Sequence, residues 1–167
     1  MIKIRQKKSI IFGASFVFIA LIMIIPSVLA AYCIVYPSSF LTIKGTKIEG
    51  SVSSFRTNGD GDIIHWVDSG NNLLVDVFFN RPSCGAKRGN QVVSYIKYDG
   101  IVSLQISVYY YEGGSTHYYL SDTGSGFYRA VFPIPDYKSV DFMVFKRYAC
   151  NTELWIDYLA ACYYNMY

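Results

Sequence analysis

The sequence predicts an all-β protein, mainly antiparallel, built as a single sandwich of about eight strands. Three observations carry that expectation. From Ser39 onward apolar and polar residues alternate with period two, and turn residues recur at short intervals. Val, Ile, Tyr and Phe dominate the alternating runs, as a pleated, half-buried surface favours. The chain is 52% hydrophobic and 17% aromatic with only 16% charged residues over 167 positions, which suits one packed domain and excludes a disordered chain.

The elements follow in order. Phe40–Ile43 leads through Gly45 into Lys47-Ile48-Glu49 and then Val52–Phe55. Asn58-Gly59-Asp60-Gly61 is a polar and glycine turn before a strand at Ile63–Val67. Ser69-Gly70-Asn71 then joins that strand to Leu73–Phe79 as a hairpin. Arg81–Asn90, with Pro82, Gly85 and Gly89, has no periodicity and reads as a loop. Gln91–Tyr98 and Ile101–Tyr111 flank Asp99-Gly100, a strong hairpin signal. Glu112-Gly113-Gly114 turns the chain into Thr116–Leu120, and Ser121–Gly126 is a further turn. Phe127–Phe132 is a strand stopped by Pro133 and Pro135, and Val140–Ala149 is the last clear one. Beyond it, Thr152 can cap a short helix with Leu154, Trp155, Tyr158, Leu159 and Cys162 on one face. A ninth strand is the alternative; the Ala160-Ala161 pair favours helix.

The first 30 residues read as an export signal. Lys3, Arg5, Lys7 and Lys8 precede an apolar run, Ile10–Ile25, broken at Pro26-Ser27. Val28 and Ala30 supply the small residues for cleavage before Ala31. An uncleaved signal anchor is the alternative, since Ser9–Ala31 is long enough to span a bilayer. Either way the domain, 31–167, is placed outside the cytoplasm, in the periplasm or secreted, with membrane contact only through an uncleaved leader. Taking the four leader charges from the 15 basic residues leaves 11 against 12 acidic ones. No basic face is implied, so nucleic acid is excluded as a partner.

Cys33, Cys84, Cys150 and Cys162 all follow the cleavage point, and an even count in an exported domain reads as two disulfides. Geometry disfavours Cys150–Cys162, and with it Cys33–Cys84, because eleven intervening residues of strand or helix hold them too far apart. The other two pairings stay open.

Candidate chemistry is sparse. Asp122-Thr123-Gly124-Ser125 resembles the short signature of aspartic proteases, but that chemistry needs two facing copies and this chain has one, so it reads as a turn. Asn58-Gly59-Asp60-Gly61-Asp62 resembles the start of a calcium loop. It departs from that pattern at Ile63, where glycine belongs, and at Ser69, where glutamate belongs. A solvated turn accounts for the same residues, and no metal or cofactor is expected. His65 and His117 lack zinc-site spacing and a recognisable nucleophile; His65 is expected to face solvent while Ile64 or Trp66 packs.

The unusual feature is tyrosine density around one hairpin: Tyr109-Tyr110-Tyr111, then His117-Tyr118-Tyr119. Alternation puts Tyr109 and Tyr111 on one face and Tyr110 on the other. Tyr gives large contact area with a hydroxyl for hydrogen bonding and is enriched in binding surfaces. Tyr109, Tyr111, His117, Tyr118, Tyr119 and Trp66 are therefore the candidate ligand-binding residues. The expected function is a non-catalytic binding protein whose partner is another protein, as in a small periplasmic inhibitor or immunity-type protein. The alternatives are a subunit of an extracellular surface assembly and a glycan-binding module using the aromatic rings as stacking platforms.

Overall fold

The structure, a computed structural model, describes residues 32–43, 45–57, 59, 62–68, 72–83, 87–148 and 151–165. For residues 32, 87–89 and 165 it describes the backbone alone. The leader, Cys84 and Cys150 lie outside the described residues.

The fold is an all-β sandwich of two antiparallel sheets. Its strands are β1 (Tyr32–Val35), β2 (Pro37–Thr42), β3 (Thr46–Glu49), β4 (Ile64–Asp68), β5 (Leu73–Phe79) and β6 (Lys87–Asp99). They continue as β7 (Leu104–Tyr110), β8 (Ser115–Leu120), β9 (Tyr128–Pro133), β10 (Val140–Arg147) and β11 (Glu153–Asn165). Six strands form one sheet in the order β3-β4-β11-β6-β9, with β1 also on β11; the other sheet runs β2-β5-β10-β7-β8. One turn of 3-10 helix, Val52–Phe55, stands where a strand is expected and drops Phe55 into the core.

Alternation along each strand builds the layer between the sheets. β5 buries Leu73, Val75, Val77 and Phe79, and β7 buries Leu104, Ile106, Val108 and Tyr110. From the opposite sheet come Trp66, Ile96, Tyr98, Leu154, Ile156, Leu159 and Tyr163. Burial of these side chains, at roughly 1.5–3 kcal/mol each, is the main favourable term. Tyr163 keeps its hydroxyl satisfied at depth by accepting from the Val140 N–H at 2.9 Å, and burial pushes its phenol well above the usual tyrosine range.

Two hairpins expected from turn chemistry are instead crossings between sheets. β4 and β5 lie in different sheets, and so do β6 and β7, so neither pair forms a hairpin, and Asp99-Gly100 lies where the chain passes from one sheet to the other. At the second crossing the buried Tyr98 ring folds over the corner, its hydroxyl donating to Val102 O at 2.6 Å. The hairpin at Glu112–Gly114 is formed, with Gly113 N donating to Tyr110 O at 2.9 Å. The Asp122–Ser125 turn is present as expected: Asp122 Oδ1 accepts from Gly124 N at 2.6 Å, and Thr123 N donates to Tyr98 O at 3.0 Å.

The C-terminal helix expectation is overturned. β11 is a 13-residue strand, paired with β6 along its length and with β4 and β1 on its other side. A segment with strands on both sides satisfies its backbone in the ladder, and this outweighs the small helix preference of Ala160-Ala161. A bulge between Ile156 and Tyr158 disguises the period, since inward residues shift from Leu154 and Ile156 to Leu159, Ala161 and Tyr163.

The expectation of two disulfides using all four cysteines also fails. Cys162 carries a free thiol, raised above its ordinary pKa by burial. The ladder explains why it cannot meet Cys33: Cys162 stands opposite Ile34, whereas Cys33 stands opposite Tyr163, so alternation sends the two sulfurs to opposite faces. Cys33 is disulfide-bonded, and no second cysteine of that bond is among the described residues.

Candidate functional site

The outer face of the five-stranded sheet gathers most of the tyrosine hairpin's outward residues. Register aligns Ser39, Phe78, Phe142, Tyr109 and Ser115 in one row across β2, β5, β10, β7 and β8. The next row is Leu41, Asp76, Val144, Ser107 and His117. A third, across β5, β10, β7 and β8, is Leu74, Lys146, Gln105 and Tyr119. These side chains share the face because side chains directly opposite in a ladder point the same way.

The first row is an aromatic wall. Phe142 stacks on Tyr109 with centroids 4.4 Å apart and planes 9° from parallel, and Phe78 lies 5.7 Å beyond it. The middle ring is covered on both sides, while the small, exposed Ser39 and Ser115 stand in line at the two ends. Polar groups fill the second row. His117 Nδ1 and Ser107 Oγ are hydrogen-bonded at 2.8 Å, and burial raises the Asp76 carboxyl above its ordinary pKa. In the third row Tyr119 is 72% exposed. At the end of β10, exposed Tyr148 has Lys146 Nζ 4.5 Å from its centroid. Aromatic faces beside hydrogen-bonding groups on an open sheet can bind a flat, hydroxylated ligand.

Tyr109, His117 and Tyr119 thus share this face, and the other candidates do not. Tyr111 lies past the end of β7, its hydroxyl donating to Phe79 O at 2.6 Å with Arg81 5.6 Å over its ring. Tyr118 points inward, tilts on Phe132 at 5.2 Å and donates to Pro133 O, tying β8 to β9. Trp66 must be removed from the ligand-binding set: it is 0% exposed, stacked on Phe55 at 6.1 Å and met edge-on by Phe40 at 5.8 Å. Phe78, Phe142, Asp76, Gln105 and Lys146 are site residues that sequence reasoning missed. Their outward positions are legible within each strand, but their adjacency depends on strand order.

The turn that presents the hairpin is held by Glu112. Its carboxylate accepts from Ser139 N at 2.7 Å and Ser139 Oγ at 3.0 Å, while Lys138 Nζ donates to Gly113 O at 2.9 Å. Charge-assisted bonds of this kind are worth about 1.5–3 kcal/mol each, less where water reaches them. Glu112→Ala should lower stability by about 1–2 kcal/mol, read as a reduced denaturant midpoint with an unchanged slope.

His65, expected to face solvent, is half-buried on the other sheet's outer face. Its ring stacks on Trp155 at 4.5 Å and its Nε2 lies 2.7 Å from Glu153, with Lys97 Nζ 4.1 Å from the Trp155 centroid. Trp155 is therefore enclosed by its own neighbours. Among the described residues no group of three or more His, Cys, Asp or Glu side chains could hold a metal ion.

No protein-family model and no curated protein matches the sequence. Solved structures do match the fold. A point mutant of a carbohydrate-binding module of family 29 is 15% identical, with a TM-score of 0.54 over 80% of this chain and 92% of its own. A family 29 module complexed with cellulohexaose is 14% identical, with a TM-score of 0.53 over 80% of this chain and 91% of its own. A further family 29 module gives 15% and 0.53 over 80% and 88%. These likenesses correct the expectation of a protein-binding inhibitor or immunity-type protein. The two-sheet sandwich of this chain is the one found in carbohydrate-binding modules.

Proposed function

We propose that the domain is a non-catalytic glycan-binding module whose binding face is the outer side of the five-stranded sheet. The observation that carries this reading is the register that brings Tyr109, His117 and Tyr119 beside Phe78, Phe142, Asp76, Gln105 and Lys146 on one open face. Sugar rings offer axial C–H groups to aromatic faces and hydroxyls to polar neighbours; Tyr119 supplies the first, Gln105 and His117 the second. The likeness to modules that include one complexed with cellulohexaose supports the same class of ligand. An extracytoplasmic location agrees with the oxidised state of Cys33. Within that location, a periplasmic or secreted domain released from its leader belongs to the same proposal.

Affinity electrophoresis and calorimetry of the full chain against a panel of neutral polysaccharides test it. Binding to at least one is expected, weakened about tenfold or more in Tyr119→Ala, which corresponds to about 1.4 kcal/mol. Because Tyr119 is so exposed, its removal should leave the unfolding midpoint unchanged. No retardation by any polysaccharide, or wild-type affinity in Tyr119→Ala, would refute the assignment of this face.

A further inference from the structure

One charged group on the outer face of the five-stranded sheet has no counterpart there. Asp76 points outward from β5 and is half-buried. Leu41 of β2 and Val144 of β10 stand beside it across the ladder, with Leu74 and Phe78 two positions either way along β5. Among the described residues no hydrogen bond or ion pair meets its carboxylate, and burial pushes its pKa up. Lys146, diagonal to it on β10, is engaged elsewhere: its ammonium lies 4.5 Å from the centroid of Tyr148, which follows it along the chain, whereas Val144 precedes it. His117, at the far end of the row on β8, is engaged with Ser107, and β2 and β7 bring no charged residue to the three rows.

A half-buried carboxylate among apolar neighbours costs free energy until donors reach it, so its retention on an open face points to donors that a ligand brings. An ionised carboxylate only accepts hydrogen bonds, and its two oxygens can take two donors side by side. Hydroxyls on neighbouring carbons of a sugar ring present donors in that arrangement. The adjoining row of Phe78, Phe142 and Tyr109 offers apolar surface to the C–H groups of the same sugar. A second anion at this point would be repelled, more strongly for the partial burial.

We propose that Asp76 sets the ligand class of this face: its carboxylate accepts two adjacent hydroxyls of a neutral sugar and turns away chains that carry carboxylates or sulfates. The inference rests on the reading of this face as the glycan site and adds the residue that determines its specificity.

Affinity electrophoresis of the full chain compares neutral polysaccharides (hydroxyethylcellulose, glucomannan, galactan) with acidic ones (polygalacturonate, alginate, chondroitin sulfate). Retardation by at least one neutral polysaccharide and by none of the acidic ones is expected. Asp76→Asn should weaken the neutral interaction at least tenfold, since an amide replaces one acceptor with a donor and removes the charge. Its unfolding midpoint should equal or exceed that of the wild type, because a desolvated charge without a partner is gone; a lower midpoint would make Asp76 a structural residue and overturn the proposal. Wild-type affinity in Asp76→Asn, with binding weakened in Tyr119→Ala, overturns the role of Asp76 and leaves the glycan face standing. Equal retardation of the wild type by polygalacturonate does the same without relying on any variant. No retardation by any neutral polysaccharide overturns the face and the role of Asp76 together.

Discussion

Replacing Trp66 with alanine should lower the free energy of unfolding by about 3–5 kcal/mol, the range for truncating a large buried aromatic. Trp66 is among the largest fully buried side chains, and it bridges two layers of the sandwich. Phe55 of the 3-10 turn stacks on one side, and Phe40 of β2 in the opposite sheet packs edge-on against it. Alanine would leave a cavity that a strand cannot close, because the ladder fixes β4 between β3 and β11. Trp66→Phe should cost much less. The indole N–H has no acceptor, so phenylalanine keeps much of the contact area and removes an unsatisfied donor. Denaturant unfolding followed by circular dichroism measures both variants. A loss under about 1 kcal/mol for Trp66→Ala would contradict the core assignment, since large core truncations are rarely so mild.

Gly100→Ala is expected to destabilise by about 2–4 kcal/mol, through overpacking and loss of a buried hydrogen bond. A Cβ at this position would stand 2.5 Å from Tyr98 Cζ, closer still to its hydroxyl, and 3.1 Å from Thr152 Cγ2. Tyr98 is 0% exposed and anchored to Val102 O, so the ring cannot swing away without opening the corner between the sheets. The same movement would release the Asp122–Ser125 turn, which bonds to the Tyr98 backbone through Thr123. Thermal unfolding is the readout. Tyr98→Phe combined with Gly100→Ala should recover part of the loss, because the atom nearest the added methyl is gone; no recovery would place the strain elsewhere.

Much of the architecture was present in local pattern. Alternation marked β5, β8 and β10 within two residues and β7 within three, and Gly113-Gly114 marked a hairpin that forms as read. β1 went unmarked because four residues offer too short a window for a period. β11 was misread for a different reason. One extra residue at Asp157 shifts the phase of the inward side chains, and a period-two pattern broken once looks helical over eleven positions.

The site divides the same way. That Tyr109, His117 and Tyr119 point outward follows from alternation, while Phe78 and Phe142 join them because β10 inserts between β5 and β7. Trp66 shows the converse error, an aromatic residue of binding type whose strand faces a second sheet that local sequence does not reveal.

What the sequence determined by itself was most of the strands between Phe40 and Arg147, the alternation of inward and outward residues within them, and many of the places where the chain turns, because these depend on near neighbours. Tertiary structure decided whether each turn folds back in its own sheet or passes to the other. Asp99-Gly100 and Glu112-Gly113-Gly114 use similar residues for opposite outcomes. The difference lies in what the flanking strands bury against, which is a property of residues far away along the chain. Pairing across the sandwich, and with it the aromatic and polar face of the five-stranded sheet, is fixed by long-range packing and not by local conformational preference.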